Sequence, residues 1–171
     1  MSRKVCSVLF FLGVCAITLQ AQDFDIQLDN RIYDDEIVSA QLFVGDDPMS
    51  EPIGTLDEVS FTVAFDDLGV EVRHIKYTFI HCNDDWQLSD LNQIEYIEGF
   101  MEDDLVRNDH SFNTIEPYMH YQAVFPNENI TFTKSGNYVL FVYDDTPDKP
   151  ILTRRFMVID PLPAKVVANV H

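Results

Sequence analysis

Apolar and polar residues alternate along much of this chain with the two-residue period of a strand that buries one face. Val59, Phe61, Val63 and Phe65 share one register and Glu58, Ser60, Thr62 and Ala64 the other, until Asp66-Asp67-Leu68-Gly69 stops the run. A second run, Val72 to Cys82, places Ile75, Tyr77 and Phe79 on one face and His74, Lys76 and Thr78 on the other. Asn83-Asp84-Asp85 then favours a turn, because short polar side chains bond their own backbone. Trp86, the single tryptophan, follows, and a short returning strand is expected over Ile94 to Phe100.

The flanking sequence carries the same signal. Val38, Ala40, Leu42 and Val44 alternate with Ser39, Gln41 and Phe43 before a loop through Gly45, Pro52 and Gly54. Met119, Tyr121, Ala123 and Phe125 line one face of a strand that Pro126-Asn127 ends, and Lys134 to Asn137 is a turn. Tyr138 to Tyr143 is apolar on both faces, the pattern of a central strand, and Ile151 to Ile159 is the last strand. Residues 102–116 are polar and aperiodic, which predicts a long crossover between sheets holding at most a brief strand.

Seven or eight short strands, turn signals about every ten residues and no amphipathic helix predict an all-β fold, an immunoglobulin-like Greek-key β-sandwich. A closed barrel is the alternative. The sandwich is expected over residues 38–162. An acidic segment, 22–37, precedes it, with an apolar element at Phe24, Ile26 and Leu28 that reads as an edge strand or a tail. Residues 163–171 read as a linker or the start of a next domain.

The first 21 residues have a different character. Arg3 and Lys4 precede the apolar run Val5 to Leu19, and Ala21 supplies a small residue before Gln22, the anatomy of a cleaved secretory signal peptide. The run is shorter than the roughly 20 residues a spanning helix needs. Leu12-Gly13-Val14-Cys15 approaches a lipoprotein box, but Val14 is large for the position before a lipidated cysteine. Cleavage removes Cys6 and Cys15, so Cys82 alone remains and no internal disulfide can form. It also removes Arg3 and Lys4, leaving 9 basic against 29 acidic residues. Such a surface repels nucleic-acid phosphates and anionic membranes, excludes nucleic acid as a partner and suits a cationic protein.

Candidate chemistry is sparse. Acidic pairs recur at Asp34-Asp35, Asp46-Asp47, Asp66-Asp67, Asp84-Asp85, Asp103-Asp104 and Asp144-Asp145, nearly all at predicted strand ends. They read as solvated turns, with a calcium site drawn from two loops as the alternative, since none matches the calcium-wrapping loop. The histidines lack ligand spacing, and His81 and Cys82 point to opposite faces of one strand. No serine sits in a Gly-x-Ser-x-Gly elbow, and no glycine-rich phosphate loop exists. Asn129-Ile130-Thr131 fits the glycosylation triplet. No catalytic, metal or cofactor residue is assigned. Trp86 has two readings: a cap on the core with its indole N–H bonded to a carbonyl, or, with Tyr96 and Phe100, an aromatic patch for a partner loop or a sugar ring.

Tyr77-Thr78-Phe79, Cys82-Asn83, Asp85-Trp86, Ser89-Asp90-Leu91 and Tyr96 to Phe100 occur in an order similar to the N-terminal domain of the type IX secretion system plug proteins of Bacteroidota. His120-Tyr121-Gln122-Ala123, Pro126, Ser135-Gly136-Asn137-Tyr138 and Arg155-Phe156 extend the resemblance, which runs from about Ser39 to Asp160. It implies a non-enzymatic periplasmic protein without cofactor. That protein docks on the inner mouth of a large outer-membrane β-barrel translocon and keeps the idle pore from leaking, with no membrane insertion of its own. Family members continue into further β-rich domains. An exported immunoglobulin-like carbohydrate-binding or sensor module is the competing expectation.

Overall fold

The computed structural model describes residues 26–161 apart from 59, 70, 72, 106 and 111–117, so the expected signal peptide and residues 163–171 lie outside the described residues. In chain order the strands are β1 (Arg31–Ile32), β2 (Ile37–Val44), β3 (Ile53–Thr55), β4 (Phe61–Asp67) and β5 (Ile75–Cys82). A helical turn, α1 (Gln93–Tyr96), precedes β6 (Ile97–Gly99), β7 (Glu102–Asp104), β8 (Arg107–His110) and β9 (Met119–Phe125). Then come β10 (Ile130–Phe132), β11 (Gly136–Asp144) and β12 (Pro150–Ile159). They form a six-stranded sheet in the order β1-β12-β11-β5-β7 with β3 also on β12, a four-stranded sheet β2-β4-β9-β8, and a two-stranded ribbon β10-β6. The chain is thus all-β and sandwich-like.

The two larger sheets meet through their alternating apolar registers. Phe61, Val63 and Phe65 of β4, Tyr121 and Phe125 of β9, and Ile75, Tyr77 and Phe79 of β5 are all at most 2% exposed. Rings touch across the layers: Phe61 lies 4.8 Å from Phe156 of β12, and Phe125 lies 4.7 Å from Phe79. Phe132 of the ribbon adds a contact with Phe79 at 4.9 Å. Each such buried ring contributes roughly 1.5–3 kcal/mol through area alone, which is how the described domain, whose Cys82 is unpaired, holds together. β11 is central, between β12 and β5, and both faces of Tyr138–Tyr143 are buried as its pattern predicts.

Several elements depart from the expected pattern. In β2 the ladder shifts between Val38 and Gln41, and Ser39 takes φ 56°. This bulge reverses the alternation, so Ile37 and Leu42, one odd and one even, both join the core in place of the expected Val38. Arg154, on the inner face of β12, secures the bulge by donating from Nη2 to the Ala40 carbonyl at 3.1 Å. The returning strand expected over Ile94–Phe100 begins as a helical turn, and the Glu95 carboxylate accepts the Asn92 N–H at 2.8 Å. The turn separates two residues that a strand would align: Ile94 is 74% exposed and Tyr96 6%. The next strand, β6, pairs with β10 rather than returning along β5. The crossover after Glu102 does change sheets, with β7 on β5 and β8 on β9. It holds two short strands where at most one is expected, because each finds a backbone partner at a sheet edge. The short strand β3 falls within the loop expected through Pro52 and Gly54, and β10 lies in a stretch between Asn127 and Lys134 to which the pattern assigns no element.

Candidate interaction site

The turn after β5 is built by Asn83. Its Oδ1 accepts the N–H groups of Asp85 at 3.1 Å and Gln87 at 2.9 Å, and its carbonyl accepts Trp86 N–H at 3.1 Å and Asn137 Nδ2 at 2.9 Å. This lattice holds Trp86 at φ 59°, a region that costs a bulky L-residue about 1–2 kcal/mol. The indole lies half-buried outside the core cluster, under the guanidinium of Arg155, whose central carbon is 4.4 Å from the ring centroid. Arg155 Nε also donates to the Leu28 carbonyl at 2.6 Å, and its backbone N–H donates to Asn30 Oδ1 at 2.7 Å. The N-terminal segment thereby forms one wall of a cavity of about 330 Å³ lined by Ile26, Leu28, Trp86 and Arg155.

The three aromatic residues singled out from the sequence do not form one patch. Tyr96 is a core residue, its ring 5.3 Å from His81 and 5.8 Å from Tyr138, with its hydroxyl donating to the Phe79 carbonyl at 3.1 Å. Burial pushes that phenol above its ordinary pKa, although a hydrogen bond to the His81 backbone pulls the other way. Phe100 is 63% exposed on the far side of Gly99. Trp86 and Phe100 remain as accessible aromatics.

A histidine–serine pair emerges that no local motif announces. His81 Nδ1 lies 2.9 Å from Ser89 Oγ and Nε2 lies 3.4 Å from the Ser135 carbonyl. A carbonyl only accepts, so Nε2 carries a proton, and in the neutral ring Nδ1 accepts the serine hydroxyl. The ring packs edge-on against Tyr138 at 5.0 Å. It abuts Gly136, where an added Cβ would come within 2.3 Å of Nε2. A ring so enclosed, with a carbonyl where a catalytic dyad has an orienting carboxylate, tethers the 89 loop to the core. Cys82 is buried, and desolvation raises its thiol pKa while the Arg155 charge partly offsets the rise, so it is no activated nucleophile.

The acidic pairs resolve into separate local roles. Arg73 gathers Asp34 at 2.5 Å, Glu36 at 2.6 Å and Asp67 at 3.3 Å. Asp67 is fully buried, with its other oxygen accepting Gly69 N–H at 2.8 Å. Asp103 accepts from Tyr77 Oη, Asn127 Nδ2 and Asn129 Nδ2 at 3.2 Å each, which also occupies the amide of the glycosylation triplet. Among the described residues no three histidine, cysteine or acidic side chains group as metal ligands, and no helix is long and apolar enough to cross a membrane. Arg73 and Arg155 escape sequence reasoning because their partners lie tens of residues away.

No curated protein matches the sequence. A hypothetical protein from Parabacteroides merdae ATCC 43184, known from a 2.30 Å crystal structure, is similar at 34% identity and a TM-score of 0.75. The match covers 80% of this chain and 35% of that one, so the chain spans about a third of its solved relative. Residues 37–160 match the family model described as the type 9 secretion system plug protein 1st domain. This stretch runs from the first residue of β2 to just beyond β12 and takes in nearly the whole sandwich, and the chain belongs to that family.

Proposed function

We propose that this chain is a non-enzymatic periplasmic component of the type IX secretion system, docking on the outer-membrane β-barrel translocon and occluding it when no substrate is crossing. The family match over residues 37–160 carries the reading. The signal-peptide anatomy of residues 1–21 supports export by a cleavable leader. The anionic exterior favours a cationic protein surface over nucleic acid or anionic lipid. Trp86, presented on a braced turn, and the exposed Phe100 are the side chains we assign to partner contact; Tyr96 supports the turn from within. An immunoglobulin-like Greek-key arrangement is part of the same reading. It is supported by the passage of the chain from β4 in one sheet to β5 and β7 in the other, back to β8 and β9, and again to β11 and β12.

Affinity capture from a detergent-solubilised envelope extract of a Bacteroidota host tests the proposal. The tagged mature chain is expected to recover the translocon barrel, and Trp86→Ala with Phe100→Ser to recover at least tenfold less. Recovery of no barrel by the unaltered chain overturns it.

A further inference from the structure

The outer face of the six-stranded sheet carries an apolar patch that the fold itself leaves open. Phe156 and Val158 of β12 point into the core, so Met157 and Ile159 point outward. Ile53 of β3 pairs with Met157 in register and therefore shares that face. The three are 36–47% exposed. Arg155, with Trp86 stacked on it, is the next outward residue along β12. Isolated exposed apolar residues are ordinary, but three neighbours on two paired strands form a continuous surface.

We infer that this patch seats the domain that follows this one in longer members of the family. The matched family model is by its description a first domain, and this chain accounts for only 35% of its solved relative. The patch also lies where the chain leaves the sheet, because Met157 and Ile159 immediately precede Asp160 and Pro161. Size and charge narrow the occupant. Three half-exposed side chains offer on the order of a few hundred Å², short of the roughly 800 Å² per partner of a free-standing complex. A tethered domain needs far less, since a short linker raises its effective concentration to the millimolar range. A second copy is disfavoured further by a formal charge of −18 on each chain. The inference rests on family membership and not on translocon docking.

The test places lysine at both positions, Met157→Lys with Ile159→Lys, in this chain and at the two aligned positions of the full-length Parabacteroides merdae relative. In this chain the pair is expected to leave a monomer by sedimentation and to shift Tm by no more than a few degrees, as surface changes do. In the longer relative it is expected to split one calorimetric transition into two and to enlarge the radius of gyration. An unchanged longer relative overturns the inference. So does loss of folding in the short chain, which would make the patch part of its own core. A dimer of the short chain dispersed by the lysines overturns it as well, with a second copy as the occupant, and translocon capture is unaffected by any of these results.

Discussion

Asn30 Oδ1 accepts the backbone N–H of Arg155 at 2.7 Å, across 125 positions of sequence. This bond closes a seam. The outer edge of β12 is covered by two short strands from opposite directions, β1 antiparallel at Leu152–Thr153 and β3 parallel at Met157–Ile159. Arg155 lies between them, where neither reaches. An open edge of a ten-residue strand is a template for unwanted pairing, and here a side chain finishes what two fragments leave.

Asn30→Ala is expected to cost about 0.5–1.5 kcal/mol, the net worth of one hydrogen bond, read as a lower urea midpoint at unchanged slope. Arg155→Ala is expected to cost more, about 1–2 kcal/mol, because the Leu28 carbonyl and the stacking on Trp86 are lost together. It should also move Trp86 emission to the red. An unshifted emission maximum would mean that the guanidinium does not shield the indole.

Two glycines separate clashes that can relax from one that cannot. A Cβ at Gly136 (φ 152°) would meet the His81 ring, whereas a Cβ at Gly99 (φ 106°) would meet the Asn129 carbonyl oxygen at 2.0 Å. Gly136→Ala is expected to destabilise by several kcal/mol and to couple to His81→Ala by about 1–3 kcal/mol in a double-mutant cycle, with backbone strain as the residue. Gly99→Ala meets main chain, and the same cycle with His81→Ala should show no coupling.

Asp67→Asn removes a fully buried charge 3.3 Å from Arg73 Nε. Breaking a buried pair costs about 3–5 kcal/mol, but Arg73 keeps Asp34 and Glu36, so about 2–3 kcal/mol is expected from chemical denaturation. A loss below about 0.5 kcal/mol, the scale of an ordinary surface change, would show that the other two carboxylates carry the cluster.

Stability should fall at both ends of the pH scale for separate reasons. Burial pushes the Asp34 carboxyl up, but the Glu36 N–H and Arg73 outweigh it and hold the group below the ordinary range. Lys76, and then the Tyr143 hydroxyl, do the same for Glu102. Groups depressed in the folded state stabilise above their unfolded pKa of about 4 and lose that contribution as pH drops through the folded value. Burial raises Tyr77, Tyr96, Tyr121, Tyr138 and Tyr143. Their contribution is complete below about pH 10 and is lost as pH rises beyond it. Urea midpoints from pH 2 to 11 should therefore show a plateau with two falling limbs. Absorbance at 295 nm should rise in step with alkaline unfolding; a full rise in the folded chain would contradict the burial.

The sequence alone determined where the faces lie. Phe61, Val63 and Phe65, and Ile75, Tyr77 and Phe79, are legible because the backbone of a strand sends alternate side chains to opposite sides whatever it pairs with. The order of short pieces around Trp86 was enough to point to the family. The tertiary structure decided everything that depends on a distant partner. Arg154 meets a bulge 114 positions away and so selects Ile37 over Val38 for the core, with the ladder shift hidden in an unbroken alternation. Ile97–Gly99 takes Ile130–Phe132 as its neighbour, a match no local period encodes. Tyr96, one of three aromatics equivalent on paper, is drawn inside because a helical turn rotates it toward Phe79, which leaves Trp86 and Phe100 at the surface. Local geometry sets which residues share a side; burial, summed over the whole chain, settles which side is covered and by what.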